Sequence, residues 1–164
     1  MMKMVDISTV SIVVASAGVF AAAIYYILQI RHQTKLRQTE MVMRLYATFG
    51  STEFQNAYQK IMGLEFENYV DALKRYATNR AEISSAATSV GTFFEGIGVL
   101  VKRRLISMDL VDDLFGTMIL HTWEKFKPLV KARREQEETT ETLQWFEYLY
   151  NEMLKRKQQQ AKIG

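Results

Sequence analysis

The side chains that could carry out chemistry are few in this chain of 164 residues. Cysteine is absent, so the sequence offers no thiolate nucleophile and no thiolate metal site. The two histidines lie outside any zinc-binding spacing; we expect His32 at a polar interface and His121 as a packing residue beside an apolar stripe. No serine occupies a G-x-S-x-G turn, and no G-K-[ST] follows Gly96 and Gly98. The sequence therefore indicates no enzyme, metal or cofactor.

Glu95 is the one charged residue with unusual surroundings. It lies in the segment FFEGIGVL among large apolar side chains, and Gly91 and Gly98 share its face of the predicted helix. Two glycines beside a carboxylate form a shallow groove in which a second helix can approach closely. If a helix packs there, Glu95 needs a cation, such as Lys102 or an arginine of another helix. If none does, the carboxylate faces water. We favour packing and expect no catalytic role.

The element that positions the rest of the chain is an uncharged run of 24 residues between Asp6 and Arg31. As a helix this run is about 36 Å long, which exceeds a hydrocarbon core of about 30 Å. We therefore predict a transmembrane anchor within residues 1–30, after a short extracytoplasmic N-terminus. A cleaved signal peptide is the alternative, since Ala15-Ser16-Ala17 resembles a processing site, but the run continues for 13 residues past Ala17.

Basic residues follow the predicted anchor. Arg31, Lys35 and Arg37 occur within seven residues, whereas the N-terminal flank has one lysine and one aspartate. Because lysine and arginine beside a span stay in the cytoplasm, we predict a single-pass protein of the cell membrane with a cytoplasmic C-terminal domain. Residues 31–50 are predicted to continue the anchor as a basic juxtamembrane helix. Its three cations are expected to contact anionic lipid headgroups, at about 1 kcal/mol each.

One face of the predicted anchor consists of small or polar residues. This small-residue strip is about 80° wide and contains Ser8, Ser11, Ala15, Gly18, Ala22 and Gln29. Large side chains such as Phe20 and Ile24 lie opposite. Small residues let helices approach closely in lipid, so the strip predicts a contact with a second copy or with another membrane protein. The alternative is that the strip makes no specific contact, because Ala, Gly and Ser are common in any membrane helix.

Beyond residue 50 the sequence has a helical pattern. A single proline and the absence of alternating apolar runs argue against a sheet. We predict an all-α protein in which residues 51–164 form one cytosolic helical bundle. Helix N-caps are predicted at Ser51, Asn68 and Ser107, and an apolar stripe runs through residues 81–105 to Leu105. Pro128 is expected either to kink a helix or to begin the next one.

The charge of the chain argues against nucleic acid as a partner. There are 21 Lys and Arg residues against 18 Asp and Glu, which gives a formal net charge of +3. Clusters such as Lys102-Arg103-Arg104 are balanced by acidic residues in the same region, and only the juxtamembrane segment is clearly basic. No nucleic-acid binding is therefore predicted.

The order of these features resembles a known family. The resemblance rests on the uncharged helix that continues into QIRHQTKLRQTE, on FFEGIGVLVKRRLIS, on the spacing of Trp123, Pro128 and Arg133, and on WFEYL at Trp145–Leu149. These segments are similar to those of an uncharacterised family of bacterial and archaeal membrane-anchored proteins, described only as a domain of unknown function. The resemblance implies the same membrane topology, but it implies no activity, cofactor or partner.

Two functions follow from the sequence. The first is a membrane-tethered helical module that binds a partner or scaffolds a complex at the cytoplasmic face of the bilayer. The alternative is a homo-oligomeric membrane assembly, such as a pore, built from the small-residue strip. A pore usually has a ring of polar or charged residues at mid-membrane depth. The strip has none between Ser11 and Gln29, apart from Tyr25 at its margin, so we rank the pore second.

Overall fold

The computed structural model describes residues 7–161, and every regular element in that range is helical. The elements are α1 (Ile7–Phe49), α2 (Thr52–Met62), α3 (Tyr69–Arg75), α4 (Arg80–Lys102), α5 (Met108–Glu137) and α6 (Gln144–Gln160), with a 3₁₀ turn at Ala77–Asn79. The prediction of an all-α protein, with a long apolar N-terminal helix followed by a helical domain, is confirmed.

The chain divides into two compact units. The first comprises residues up to Met41, and its described part is the first 35 residues of α1, Ile7 to Met41. The side chains on all sides of this helix are exposed over residues 10–37, including that of Phe20, which is 72% exposed. Nothing within this unit covers the apolar surface of the helix.

Two of the described helical segments are long and apolar enough to cross a membrane. The first is Val10–Phe49, with a mean hydropathy of 2.1 in its most apolar window and none of that window buried. The second is Ala77–Lys102, with a mean hydropathy of 1.2 and 33% of its window buried. The second segment contains α4, which the packing described below places in the core of the second unit.

The second unit runs from Val42 to the C-terminus and includes the last two turns of α1. Val42 is only 3% exposed. The ring of Phe49 lies 5.3 Å from that of Phe54, 5.5 Å from that of Phe115 and 6.1 Å from that of Phe93, measured between centroids. The predicted juxtamembrane helix, residues 31–50, thus includes turns whose apolar side chains pack in the aromatic core.

Helix α4 occupies the centre of this unit because it is buried on two faces. On one face the ring of Phe93 lies 4.5 Å from that of Phe54 in α2. On the other, the ring of Phe94 stacks on that of Phe146 in α6 at 4.9 Å. The apolar composition of α4 therefore serves the core. The side chains that are almost fully buried around it include Val90, Ile97, Phe115, Ile119 and Leu149.

The predicted N-caps are all present. The hydroxyl of Ser51 accepts a hydrogen bond from the N–H of Phe54 at 3.2 Å, and that of Ser107 accepts one from Leu110 at 3.3 Å. The side-chain oxygen of Asn68 accepts the N–H of Asp71 at 3.0 Å. Each cap satisfies one of the amide groups that the first turn of a helix leaves without a partner.

Of the two alternatives for Pro128, it does not begin a new helix, because it lies inside α5, which continues to Glu137. One boundary differs from the sequence expectation. Leu105 is 47% exposed, although the stripe predicted it to be buried. Helix α4 ends at Lys102, and Arg104 adopts a left-handed conformation with φ of 57°. This turn reverses the chain, so Leu105 faces outward and Ile106 is buried in its place.

Removing residues 1–30 should leave a folded helical unit that still contains Val42 and Phe49. We expect fragment 31–164 to give a helical far-UV circular dichroism spectrum and a cooperative thermal transition. Removing residues 1–50 instead should lower the free energy of unfolding by about 3–5 kcal/mol, as for the loss of a large core side chain. Equal melting temperatures for the two fragments would show that the end of α1 contributes nothing to the core.

Candidate functional site

The residues with catalytic or metal-binding potential do not converge within residues 7–161. No group of three or more His, Cys, Asp or Glu side chains in that range could hold a metal ion. His32 is exposed on α1, and His121 is exposed on α5. Near it, Tyr150 donates a hydrogen bond to Glu124, which raises the pKa of Tyr150 to about 12. The phenol therefore stays protonated at neutral pH.

Gly91 and Gly98 mark the line along which α6 and its preceding turn rest on α4. A methyl group on Gly98 would lie 2.1 Å from the carbonyl oxygen of Trp145 in α6. A methyl group on Gly91 would lie 3.2 Å from side-chain atoms of Leu143 and of Phe126. Only glycine permits the approach at Gly98, because the contact there is with main-chain atoms that cannot rotate away.

Glu95 caps the helix that rests on this groove. Leu143, the N-cap residue of α6, is in a left-handed conformation with φ of 53° and provides no side-chain hydrogen bond. The carboxylate of Glu95 accepts the N–H of Phe146 at 2.7 Å instead. A negative charge at a helix N-terminus also interacts favourably with the helix dipole. From the neighbouring helix α4, Glu95 thus accepts a hydrogen bond from an amide in the first turn of α6. An Asp or Ser at the N-cap position usually makes this hydrogen bond.

The cation expected beside Glu95 is not its partner in the structure. Lys102 lies over two aromatic rings of α6, with its Nζ atom 4.9 Å from the ring centroid of Tyr148 and 5.9 Å from that of Trp145. The actual partner has no sequence signal because it is a main-chain amide, which every residue except proline has. The three residues Gly91, Glu95 and Gly98 therefore belong to one α4–α6 junction, which is structural in character.

The small-residue strip lies along one face of α1 and is uncovered. Ser11, Ala15, Gly18, Ala22 and Gln29 are all exposed. A methyl group on Gly18 would meet no atom within 4 Å. Ser8 belongs to α1, but its side chain lies outside the described part of the chain. The residues of the strip thus share one face only because they lie on one helix. The space beside Gly18 is open, so a second helix could approach closely there.

The basic residues that follow the apolar run are exposed as well. Arg31, Lys35 and Arg37 all lie on the continuous helix α1, and none of them is covered by another element. Their long aliphatic stems allow the charged groups to reach a polar interface while the helix axis remains close to apolar surroundings.

A further feature of this face extends the strip beyond the apolar run. Leu36 is 57% exposed although it lies among charged residues. Spacings of four and three residues alternate without interruption through Ser11, Ala15, Gly18, Ala22, Tyr25, Gln29, His32 and Leu36. This is the spacing of the a and d positions of a left-handed coiled coil. This heptad spacing is present in the sequence and continues past Gln29, where the predicted small-residue strip ends.

These observations define a class: an all-α protein with an uncovered apolar N-terminal helix and a compact helical unit that shares its last turns. The chain matches the model of a family described as "Domain of unknown function (DUF4760)" over residues 12–153. Since the match covers most of the chain, the protein belongs to the DUF4760 family, which confirms the resemblance to a domain of unknown function. The matched segment begins within the apolar run of α1 and ends in α6. No curated protein and no solved structure matches the chain.

Replacing Gly98 by alanine should force α4 and α6 apart. We expect Gly98→Ala to lower the free energy of unfolding by about 3 kcal/mol or more, because its methyl group overlaps main-chain atoms of Trp145. Gly96→Ala is the matched control, since a methyl group there meets nothing within 4 Å. It should raise stability by up to about 1 kcal/mol, through helix propensity. Urea denaturation of fragment 31–164 measures both; equal effects would contradict the close contact.

The capping role of Glu95 can be separated from its charge. Glu95→Ala leaves the N–H of Phe146 without an acceptor and should destabilise fragment 31–164 by about 1–2 kcal/mol. Glu95→Gln keeps an oxygen that can accept the same hydrogen bond, so it should cost less than half as much. If both variants lost equal stability, the charge and not the hydrogen bond would be the source of the effect.

Proposed function

We propose that this protein is a single-pass, membrane-tethered helical interaction module that acts at the cytoplasmic face of the membrane. The observation that carries the proposal is that the apolar part of α1 is exposed on all sides over residues 10–30. Eleven Ile, Val, Leu and Phe residues lie between Ile7 and Ile30. Each favours membrane insertion by about 0.3–0.6 kcal/mol near the centre of a span, which amounts to on the order of 5 kcal/mol in total.

The polar groups of the proposed span are compatible with lipid. The hydroxyl of Ser16 donates a hydrogen bond to the carbonyl of Ile12, one turn earlier, at 2.8 Å. Helix α1 continues without a break from Ile7 to Phe49, so its main-chain groups within the run are bonded inside the helix, as a hydrocarbon solvent requires. Arg31, Lys35 and Arg37 then favour an orientation with the compact unit in the cytoplasm, where their charges would meet anionic headgroups.

The proposed partner of the strip is a second copy of this chain, packed in parallel. In lipid, small residues allow backbones to approach closely and dispersion contacts to form along the seam. Beyond the bilayer, the exposed side chain of Leu36 continues the same heptad spacing, so two copies could pack there as in a coiled coil. Between Ser11 and Gln29 the small-residue strip contains only Ala and Gly, with Tyr25 at its margin. This composition supports a packed dimer or small oligomer more than a water-filled pore.

Gly18→Leu should weaken the association of the full-length chain in membranes. The large side chain separates helices that touch only through small residues, and a loss of about 1–2 kcal/mol would reduce association roughly tenfold. Phe20→Leu is the matched control on the opposite face, because it exchanges one apolar side chain for another. Both variants stay long and apolar enough to insert. Energy transfer between labelled copies in phosphatidylcholine vesicles measures the association.

Several outcomes would change the proposal. Equal association of Gly18→Leu and Phe20→Leu would show that the small-residue strip makes no specific helix contact. A monomeric wild-type chain would contradict self-association and direct the search to another membrane protein. A symmetric assembly that conducts ions in planar bilayers would favour the pore instead.

A further inference from the structure

A pocket of about 380 Å³ lies in the second unit, between α3, α4, α5 and the loop before α3. Its wall is mainly apolar and aromatic, and it includes Phe66, Leu73, Tyr76, Ile83, Ala87 and Leu129. All six residues are half-buried, so each packs against the core on one side and leaves apolar surface open on the other. Covering such surface with an apolar group is favourable by about 25 cal/mol per Å².

One side of the pocket is formed by a helix that is anchored only loosely. Helix α3 has seven residues, and none of them is buried. Its first turn is held locally: the carboxylate of Asp71 accepts the N–H of Glu67 at 3.1 Å and the Nε of Arg75 at 2.8 Å. These bonds hold the pKa of Asp71 below its ordinary value. Polar contacts therefore hold the start of α3, and its half-buried side chains Ala72 and Leu73 line the pocket.

A free cation lies at the mouth of the pocket. The guanidinium of Arg80 is exposed and forms no ion pair or side-chain hydrogen bond with any residue in the described range 7–161. The other arginine of the pocket, Arg133, is already paired with Glu137 at 2.8 Å. The electrostatic complement of this mouth is therefore an anionic group, which Arg80 could bind through charge-assisted hydrogen bonds.

The size of the pocket is that of a small-ligand site. Its volume of about 380 Å³ falls within the range of such sites, about 300–1,000 Å³. A narrow, flexible apolar chain can lie along its apolar wall.

The geometry points to a binding site for an anionic amphiphile with a single acyl chain. The chain lies against the apolar wall between α3 and α4, and the anionic headgroup pairs with Arg80. A fatty acid is the simplest member of this class. All of these residues belong to the second unit, so the site does not depend on the proposed membrane anchor or on self-association.

Photo-crosslinking of the full-length chain in phosphatidylcholine nanodiscs tests the site. The probe is a palmitic acid that carries a diazirine on its acyl chain, and the matching alcohol is the uncharged control. We expect the acid to label peptides from residues 66–87, as mapped by mass spectrometry. The acid should label them more strongly than the alcohol does. Labelling of residues 10–30 in the same sample reports separately on the proposed anchor.

Two variants test the two parts of the site. Arg80→Gln should reduce labelling of residues 66–87 by the acid about threefold, as expected for one exposed ion pair, and should leave labelling by the alcohol unchanged. Arg103→Gln, at an exposed arginine after the end of α4, should change neither. Ala87→Phe fills the pocket and should abolish labelling by both probes, with circular dichroism confirming that the variant is folded.

Three results would overturn the proposal. The first is the absence of labelling within residues 66–87 of the wild-type chain. The second is equal labelling by acid and alcohol in both the wild-type chain and Arg80→Gln. The third is protection of residues 66–87 by an acidic amphipathic peptide together with no effect of unlabelled palmitic acid, which would make the pocket a peptide site.

Discussion

The apolar side chains of α1 between Val10 and Ile30 are exposed on every side of the helix, and this exposed surface is the main physical constraint on where α1 can lie. At about 25 cal/mol per Å², such a surface is costly to keep in water. A bilayer relieves the cost, provided that the helix is unbroken and its polar groups are bonded internally. Helix α1 meets both conditions, since it runs continuously from Ile7 to Phe49 and Ser16 bonds to the helix backbone.

The same helix also belongs to the core of the compact unit. Val42 is buried, and the ring of Phe49 contacts rings from α2, α4 and α5. The last two turns of α1 therefore form part of that core. Within that unit, the second constraint is the close approach of α6 to α4 at Gly98, with Glu95 capping the helix that approaches. The segment FFEGIGVL thus forms a helix junction, in which the carboxylate of Glu95 caps α6.

Much of the fold could be predicted because its signals are local. The N-caps at Ser51, Asn68 and Ser107 depend on residues one turn apart, and all three are present. The exposure of Leu105 depends instead on the left-handed turn at Arg104. Glycine or asparagine usually indicates such a turn, and arginine does not. The partner of Glu95 could not be predicted because it is a main-chain amide from a distant helix. The pocket beside Arg80 was also invisible, since four separate segments form its wall.

The location of α1 in a bilayer can be measured directly, because the chain has no cysteine. Single cysteines at Val14, Phe20, Ile27 and Asn151 can each be treated with a membrane-impermeant maleimide. We expect the first three to be protected in intact membranes and to react after detergent denaturation, while Asn151→Cys reacts only when the cytoplasmic face is accessible. Reaction of Phe20→Cys in intact membranes as fast as that of Asn151→Cys in opened ones would contradict a location of α1 in the bilayer.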